Sequence, residues 1–122
     1  MKNFSFYEFD SPDYEGSGTL MDKAFLDMLD FARDLYGKPM KITSGYRTES
    51  YNQDLKARGY KASPNSSHLK GLAADIACVN SADRWDMIDS LIKAGFNRLG
   101  VADTFIHVDC DPDKQPFLIW TY

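Results

Sequence analysis

The chain has 122 residues, 43% hydrophobic and 26% charged, which fits one globular domain and excludes disorder, collagen and coiled coil as overall descriptions. Eighteen acidic residues outnumber fourteen basic ones, for a net charge of −4, and the chain shows no basic excess or stripe of the kind nucleic-acid binders carry. The first residues, MKNFSFYEFDSPDYEGSG, hold no apolar run long enough for a secretory signal, and no stretch reaches membrane-spanning length. Cytoplasmic synthesis and no membrane partner are therefore expected.

Residues 10–18 (DSPDYEGSG) form a polar loop. Asp22 opens an amphipathic helix in which Phe25, Leu29, Ala32 and Tyr36 recur at helical spacing, backed by Met28 and Leu35. Gly37 ends it and Pro39 prevents its continuation. Met40 to Thr43 reads as a short strand, and Thr48 caps a second helix through about Arg58, before Gly59. Residues 60–67 are loop-like. Leu72 to Val79 is a small-residue and β-branched run, predicted to be a buried strand. Asn80 or Ser81 caps a third helix with Trp85, Ile88 and Ile92 on one face, ended by Gly95. Arg98–Val101, Thr104–Val108 and Phe117–Trp120 read as strands separated by turns such as DCDPDK. The order predicts one α+β domain over residues 1–122, a small mostly antiparallel sheet flanked by about three helices. Most of Phe4, Phe6, Phe9, Phe25, Phe31, Trp85 and Phe96 are assigned to its core, while Trp120 and Tyr122 either pack back or lie beside a site.

The chain has only two histidines. His68 lies in SSHLKGLAADIA, seven residues before Asp75, and His107 lies in TFIHVDCD, both in contexts that read as strand edges. Two neutral imidazoles and one carboxylate can hold Zn²⁺ with a coordination position left over, and the net charge of +1 preserves its power to polarise a carbonyl. A His-x6-Asp pair taken alone also fits ordinary core and surface groups. Gly71, Ala73 and Ala74 would let the chain pack closely as it enters the strand bearing Asp75. In TSGYRT, Arg47 sits between a strand and a helix, where it could grip a carboxylate or an oxyanion, or simply pair with Glu49 at the surface. No C-x-x-C occurs, so a thiolate zinc site is not indicated.

SGYR, then S-x-H-x-x-G-x-A-x-D-I, then F-I-H-V-D, in this order, resemble the zinc D-alanyl-D-alanine carboxypeptidases of the LAS metallopeptidases, over about Lys41 to Asp109. The small size and the stretch KAGFNR are most similar to peptidases of this type encoded by bacteriophages. The resemblance implies one zinc ion per chain held by His68, Asp75 and His107, a substrate-engaging Arg47, and a groove across the sheet. It implies hydrolysis of peptidoglycan stem peptides next to or between D-configured residues. Many members carry a catalytic acid three residues before the last histidine; Thr104 stands there and cannot serve as a base. Asp103 and Asp109 share the strand face of His107, and Asp109, about 6–7 Å along the strand, is the first choice for general base with Asp103 second. The alternative is that Asp109 steadies a metal ligand from behind or is a turn acid of the DCDPD run.

Three expectations follow. If the strands bearing Asp75 and His107 run antiparallel with these residues opposite, Cys78 and Cys110 end roughly 20 Å apart and stay free thiols. The acidic balance argues against a charge-driven grip on an anionic wall. The chain is expected to act as a monomer, a bare catalytic unit without a wall-binding domain. Alternatives are a non-catalytic zinc-containing binding module for wall peptides and a metal-free structural protein.

Overall fold

The structure, a computed structural model, describes residues 1–122. Side-chain caps start all three helices. Asp22 accepts from the Phe25 amide and begins α1 (Lys23–Tyr36), Thr48 accepts from Tyr51 and begins α2 (Glu49–Ala57), and Asn80 accepts from Asp83 and begins α3 (Ser81–Ala94). The strands are β1 (Ile42–Ser44), β2 (Ala73–Ala77), β3 (Arg98–Val101), β4 (Phe105–Asp109) and β5 (Leu118–Thr121). They form one sheet in the order β1-β2-β4-β3-β5. All neighbours are antiparallel except β3 and β5, which run parallel. The α+β architecture and the mostly antiparallel sheet agree with the sequence pattern. No helix is long and apolar enough to cross a membrane.

Period-two alternation divides the sheet into a core face and a site face. Ala74 and Ile76 of β2, Ile106 and Val108 of β4, and Leu99 of β3 join Phe25, Leu26 and Leu29 of α1 and Met87 and Leu91 of α3 in the core. The intervening residues, Asp75, His107 and Asp109 among them, face away from it. Each large apolar side chain buried here contributes on the order of 1.5–3 kcal/mol, which makes the core face the anchor of the register.

The core differs from expectation on the helices. On α3 the buried residues are Met87, Ser90 and Leu91, whereas Trp85 is 74% exposed and Ile92 48% exposed. The helix is rotated because Met87 and Leu91, one turn apart, form the stripe that meets the core. Phe31 is exposed because it lies on the far side of α1 from Phe25, Leu29 and Ala32, and Phe6 is exposed as well. Phe4, Phe9, Phe25 and Phe96 are buried as predicted, in two edge-to-face pairs, Phe4–Phe9 and Phe25–Phe96.

Two short 3₁₀ turns, Phe6–Phe9 and Ser17–Leu20, flank the predicted loop of residues 10–18, the second overlapping its end. They brace the segment between β1 and α2. The Tyr46 amide donates to the Phe9 carbonyl, the Thr48 amide to Ser11 Oγ at 3.2 Å, and the Thr48 hydroxyl to Asp13 at 2.6 Å. Cys78 and Cys110 are free thiols that follow β2 and β4 at opposite ends of their antiparallel ladder.

Candidate functional site

A single cross-strand row spans all five strands. Ser44 pairs with Asp75, Asp75 with His107, His107 with Gly100, and Gly100 with Trp120. The row forms the floor of a groove of about 800 Å³, to which α2, the chain after it and the C-terminal residues Trp120 and Tyr122 add walls. Trp120 therefore lies beside the site, its indole ring 5.6 Å from the His107 ring.

His68 reaches this row from a third 3₁₀ turn, Ser67–Lys70, rather than from a strand edge as expected. Ser66 Oγ caps that turn by accepting the His68 amide. Gly71 closes it with a positive φ of 69°, and a Cβ there would sit 2.7 Å from the Leu20 carbonyl oxygen. Only glycine both turns and fits at this point, and the turn sends the chain into β2, where Asp75 lies four residues on behind the small Ala73 and Ala74.

Each imidazole is held by one nitrogen and presents the other to Asp75. His68 Nδ1 donates to the Gly45 carbonyl at 2.7 Å, leaving Nε2 at 3.3 Å from Asp75 Oδ1. His107 Nε2 lies 2.7 Å from Asp109 Oδ2, and its Nδ1 lies 2.9 Å from Asp75 Oδ1. One donor atom from each of His68, Asp75 and His107 lies within 4.8 Å of the others, and all three residues are buried. This donor set fits zinc: two borderline nitrogens, one carboxylate oxygen, and an outer hydrogen bond fixing each ring.

The electrostatics agree. Burial pushes His68 toward the neutral form, only partly opposed by Asp75. Burial opposes ionisation of Asp75, but the two imidazoles outweigh it and hold its carboxyl well below the usual carboxylate range. Burial also pulls His107 down, yet hydrogen bonds to Asp109 and Asp75 overcome it and raise its pKa.

Arg47 enters the groove from the residue before the α2 cap. Its Nε donates to Ser44 Oγ at 3.0 Å and its Nη1 to Asn52 Oδ1 at 3.3 Å, while Nη2 lies 3.5 Å from Asp75 Oδ2. The guanidinium is buried and aimed beside the triad, so the reading of a surface arginine paired with Glu49 does not hold.

The two acids weighed as general base sit in different surroundings. Asp109 is 1% exposed, and both of its oxygens are engaged: Oδ1 by Arg98 Nε at 2.6 Å and the Asp111 amide at 3.2 Å, Oδ2 by His107. Its Oδ2 fixes the Nε2 side of the His107 ring at the edge of the groove. Asp103 lies in the exposed turn before β4 and does not line the groove. Arg98 completes the assembly. It donates to the Gln115 carbonyl and stacks 5.0 Å from the Trp120 ring centre. Gly45 lies in SGYR and Arg98 ends KAGFNR, but their parts, a carbonyl holding His68 and a guanidinium holding Asp109, come from strand pairing and loop packing.

Charge is distributed unevenly. The groove is lined by five cations, Arg47, Lys56, Lys61, Arg98 and Lys114, against two carboxylates, Asp75 and Asp109. The net charge of −4 describes the chain as a whole, while the groove itself carries a local excess of cations.

Gly45 makes a compact test of the support behind His68. A Cβ at Gly45 would lie 2.6 Å from Phe9 Cα. Gly45→Ala is expected to lower stability by about 1–3 kcal/mol through overpacking. It should also weaken metal uptake, because the carbonyl that orients His68 moves with it. Thermal unfolding and metal content per chain read the two effects separately.

A buried His–Asp–His set at the floor of a groove on the open face of a mostly antiparallel sheet is a donor set that can hold one metal ion. The sequence profile described as Peptidase M15 matches residues 2–109, and the chain belongs to this family of metallopeptidases. Among solved structures the chain is similar to the Serratia marcescens L-Ala D-Glu endopeptidase ChiX, with a TM-score of 0.55 and 14% sequence identity. That match covers 62% of this chain and 62% of the ChiX chain, less than two thirds of either, and shows a shared fold. No curated protein matches the chain in sequence.

Proposed function

We propose that the chain is a zinc-dependent peptidase that hydrolyses D-amino-acid-containing peptide bonds of bacterial peptidoglycan, in cell-wall lysis or remodelling. The observation that carries this reading is the donor triad, three ligand atoms within 4.8 Å of one another with each imidazole already oriented by its outer nitrogen. Family membership supports a peptidase, and the name of the fold relative, an L-Ala D-Glu endopeptidase, supports a stem-peptide substrate. The motif set SGYR, SSHLKGLAADIA and FIHVD supports a lysis enzyme of bacteriophage type.

In this reading His68 Nε2, an Asp75 oxygen and His107 Nδ1 hold the metal. Zinc bound there supplies Lewis-acid polarisation of the scissile carbonyl and activation of water. Asp109 holds the Nε2 proton of His107 and keeps Nδ1 turned to the site. Arg47, pinned by Ser44 and Asn52, offers its remaining guanidinium edge to a substrate carboxylate or to the oxyanion that develops on attack. Trp120 and Tyr122 supply apolar surface along the groove, which helps exclude water from it.

One observation favours a second reading, a non-catalytic binding module for wall peptides on the same fold. Thr104 stands where many related peptidases place an acid, and Asp109 is committed to His107 and Arg98. Digestion of purified peptidoglycan with zinc and with chelator, read by mass spectrometry, separates the two. Cleavage products that vanish with chelator are expected, and their masses identify the bond as a terminal D-Ala link, a crosslink or an L-Ala–D-Glu link. Stoichiometric zinc with no products would establish the binding module instead.

A further inference from the structure

We propose that the groove selects acidic peptides, with Lys56 and Lys61 as the side chains that read their free carboxylates; this rests on the stem-peptide reading above and adds the charge of the substrate to it. The chain as a whole carries more acidic than basic residues, 18 against 14. The groove reverses that balance, and its carboxylates are already spoken for. Asp75 faces both imidazoles and Arg47, and Asp109 is buried against Arg98 and His107. The positive charge left over is on lysines.

Lys56 stands in the last turn of α2 and Lys61 in the loop that follows. Both are exposed, both line the groove, and neither forms an ion pair, although most other lysines of the chain do. Lys114 lines the same groove from the connection between β4 and β5, but it donates to Ser67 Oγ at 2.9 Å and lies 3.8 Å from Asp111. Two lysines without partners on one wall of a concave site form an attractive field for an anion, because the low-dielectric walls concentrate it. The flanking Tyr51 and Leu55 give the same wall apolar surface, so a peptide backbone with carboxylate branches matches it better than a small free anion.

The test uses two synthetic stem pentapeptides, L-Ala-γ-D-Glu-meso-diaminopimelate-D-Ala-D-Ala with its side carboxylates free, and the same peptide with those carboxylates amidated. Binding to the whole chain is measured by calorimetry with chelator present, which prevents turnover. Hydrolysis of both peptides is measured separately with zinc. The free acid is expected to bind about tenfold more tightly at low salt, with the advantage shrinking as salt rises. With zinc, the difference should appear mainly in KM. The double variant Lys56→Ala/Lys61→Ala, both surface positions, is expected to keep its melting temperature and its zinc, and to lose most of the preference for the acid.

Equal binding of acid and amide would overturn the proposal, as would a preference that survives in the double variant. The outcomes stay separate from the peptidase reading. Cleavage of both peptides with equal efficiency would leave the peptidase and remove the charge selection. Preferential binding of the acid with no cleavage of either would keep the charge selection and remove the peptidase.

Discussion

His68→Ala is expected to abolish hydrolysis and stoichiometric zinc together. The substitution removes one of three ligand atoms, and loss of a mere outer partner of a metal ligand already costs roughly 10–100-fold in metal affinity. Loss of the ligand itself should exceed that. The fold should survive, because the imidazole contributes one hydrogen bond, to the Gly45 carbonyl, and leaving that carbonyl unpaired costs about 1–3 kcal/mol. Circular dichroism and thermal unfolding check the fold, metal analysis checks the site, and peptidoglycan digestion checks the activity. Chelation of the unmodified chain should reproduce the loss of activity without any change of side chain. Full activity in His68→Ala would end the zinc reading.

Asp109→Asn is expected to act on the site and on the fold at once. Asp109 is buried between Arg98 and His107, and breaking such a pair by neutralising one partner costs about 3–5 kcal/mol because the other charge stays buried. The same change leaves one acceptor oxygen for two donors, Arg98 Nε and His107 Nε2, and turns an amide N–H against the other, so the His107 ring loses its fixed orientation and zinc affinity should fall by about 10–100-fold. Activity should then return in large part when zinc is raised to saturation. A general base behaves differently: its loss leaves zinc content intact and lowers turnover by about 10²–10⁴-fold at any zinc concentration. Zinc titration of the variant, with turnover measured at each point, therefore decides between holding His107 and taking a proton. Arg98→Ala provides a second view, since it too unpairs Asp109 without touching a ligand. It should lower stability and zinc affinity in parallel with Asp109→Asn.

Much of this arrangement was legible along the chain because it depends on short-range rules. Asp22, Thr48 and Asn80 are cap residues at the starts of apolar periods, and each caps a helix in the structure. Gly71 before a small-residue run announces a tight turn into a strand, and its backbone adopts the left-handed conformation that this requires. Period two along AADIA and FIHVD sorts Asp75, His107 and Asp109 onto one face, as the sheet bears out. The helix faces were less legible. The 3.6-residue period allows two overlapping apolar stripes on α3, and only packing against α1 and the sheet selects Met87 and Leu91 over Trp85 and Ile92.

By itself the sequence determined the residue types, their order and their faces: two histidines, an aspartate at strand period, an arginine beside a helix cap. Those are properties of local geometry and chemical type. The tertiary structure alone decided which atoms meet. Antiparallel pairing set Asp75 opposite His107, the turn ending at Gly71 brought His68 to the same carboxylate, and strand β3 placed Arg98 against Asp109. The part played by Asp109 turns on this last contact, which joins residues on different strands and leaves no trace in local spacing. The same holds for charge. Composition sums Lys and Asp over the whole chain, but field strength depends on distance, and folding gathers five cations around a groove that holds two neutralised carboxylates.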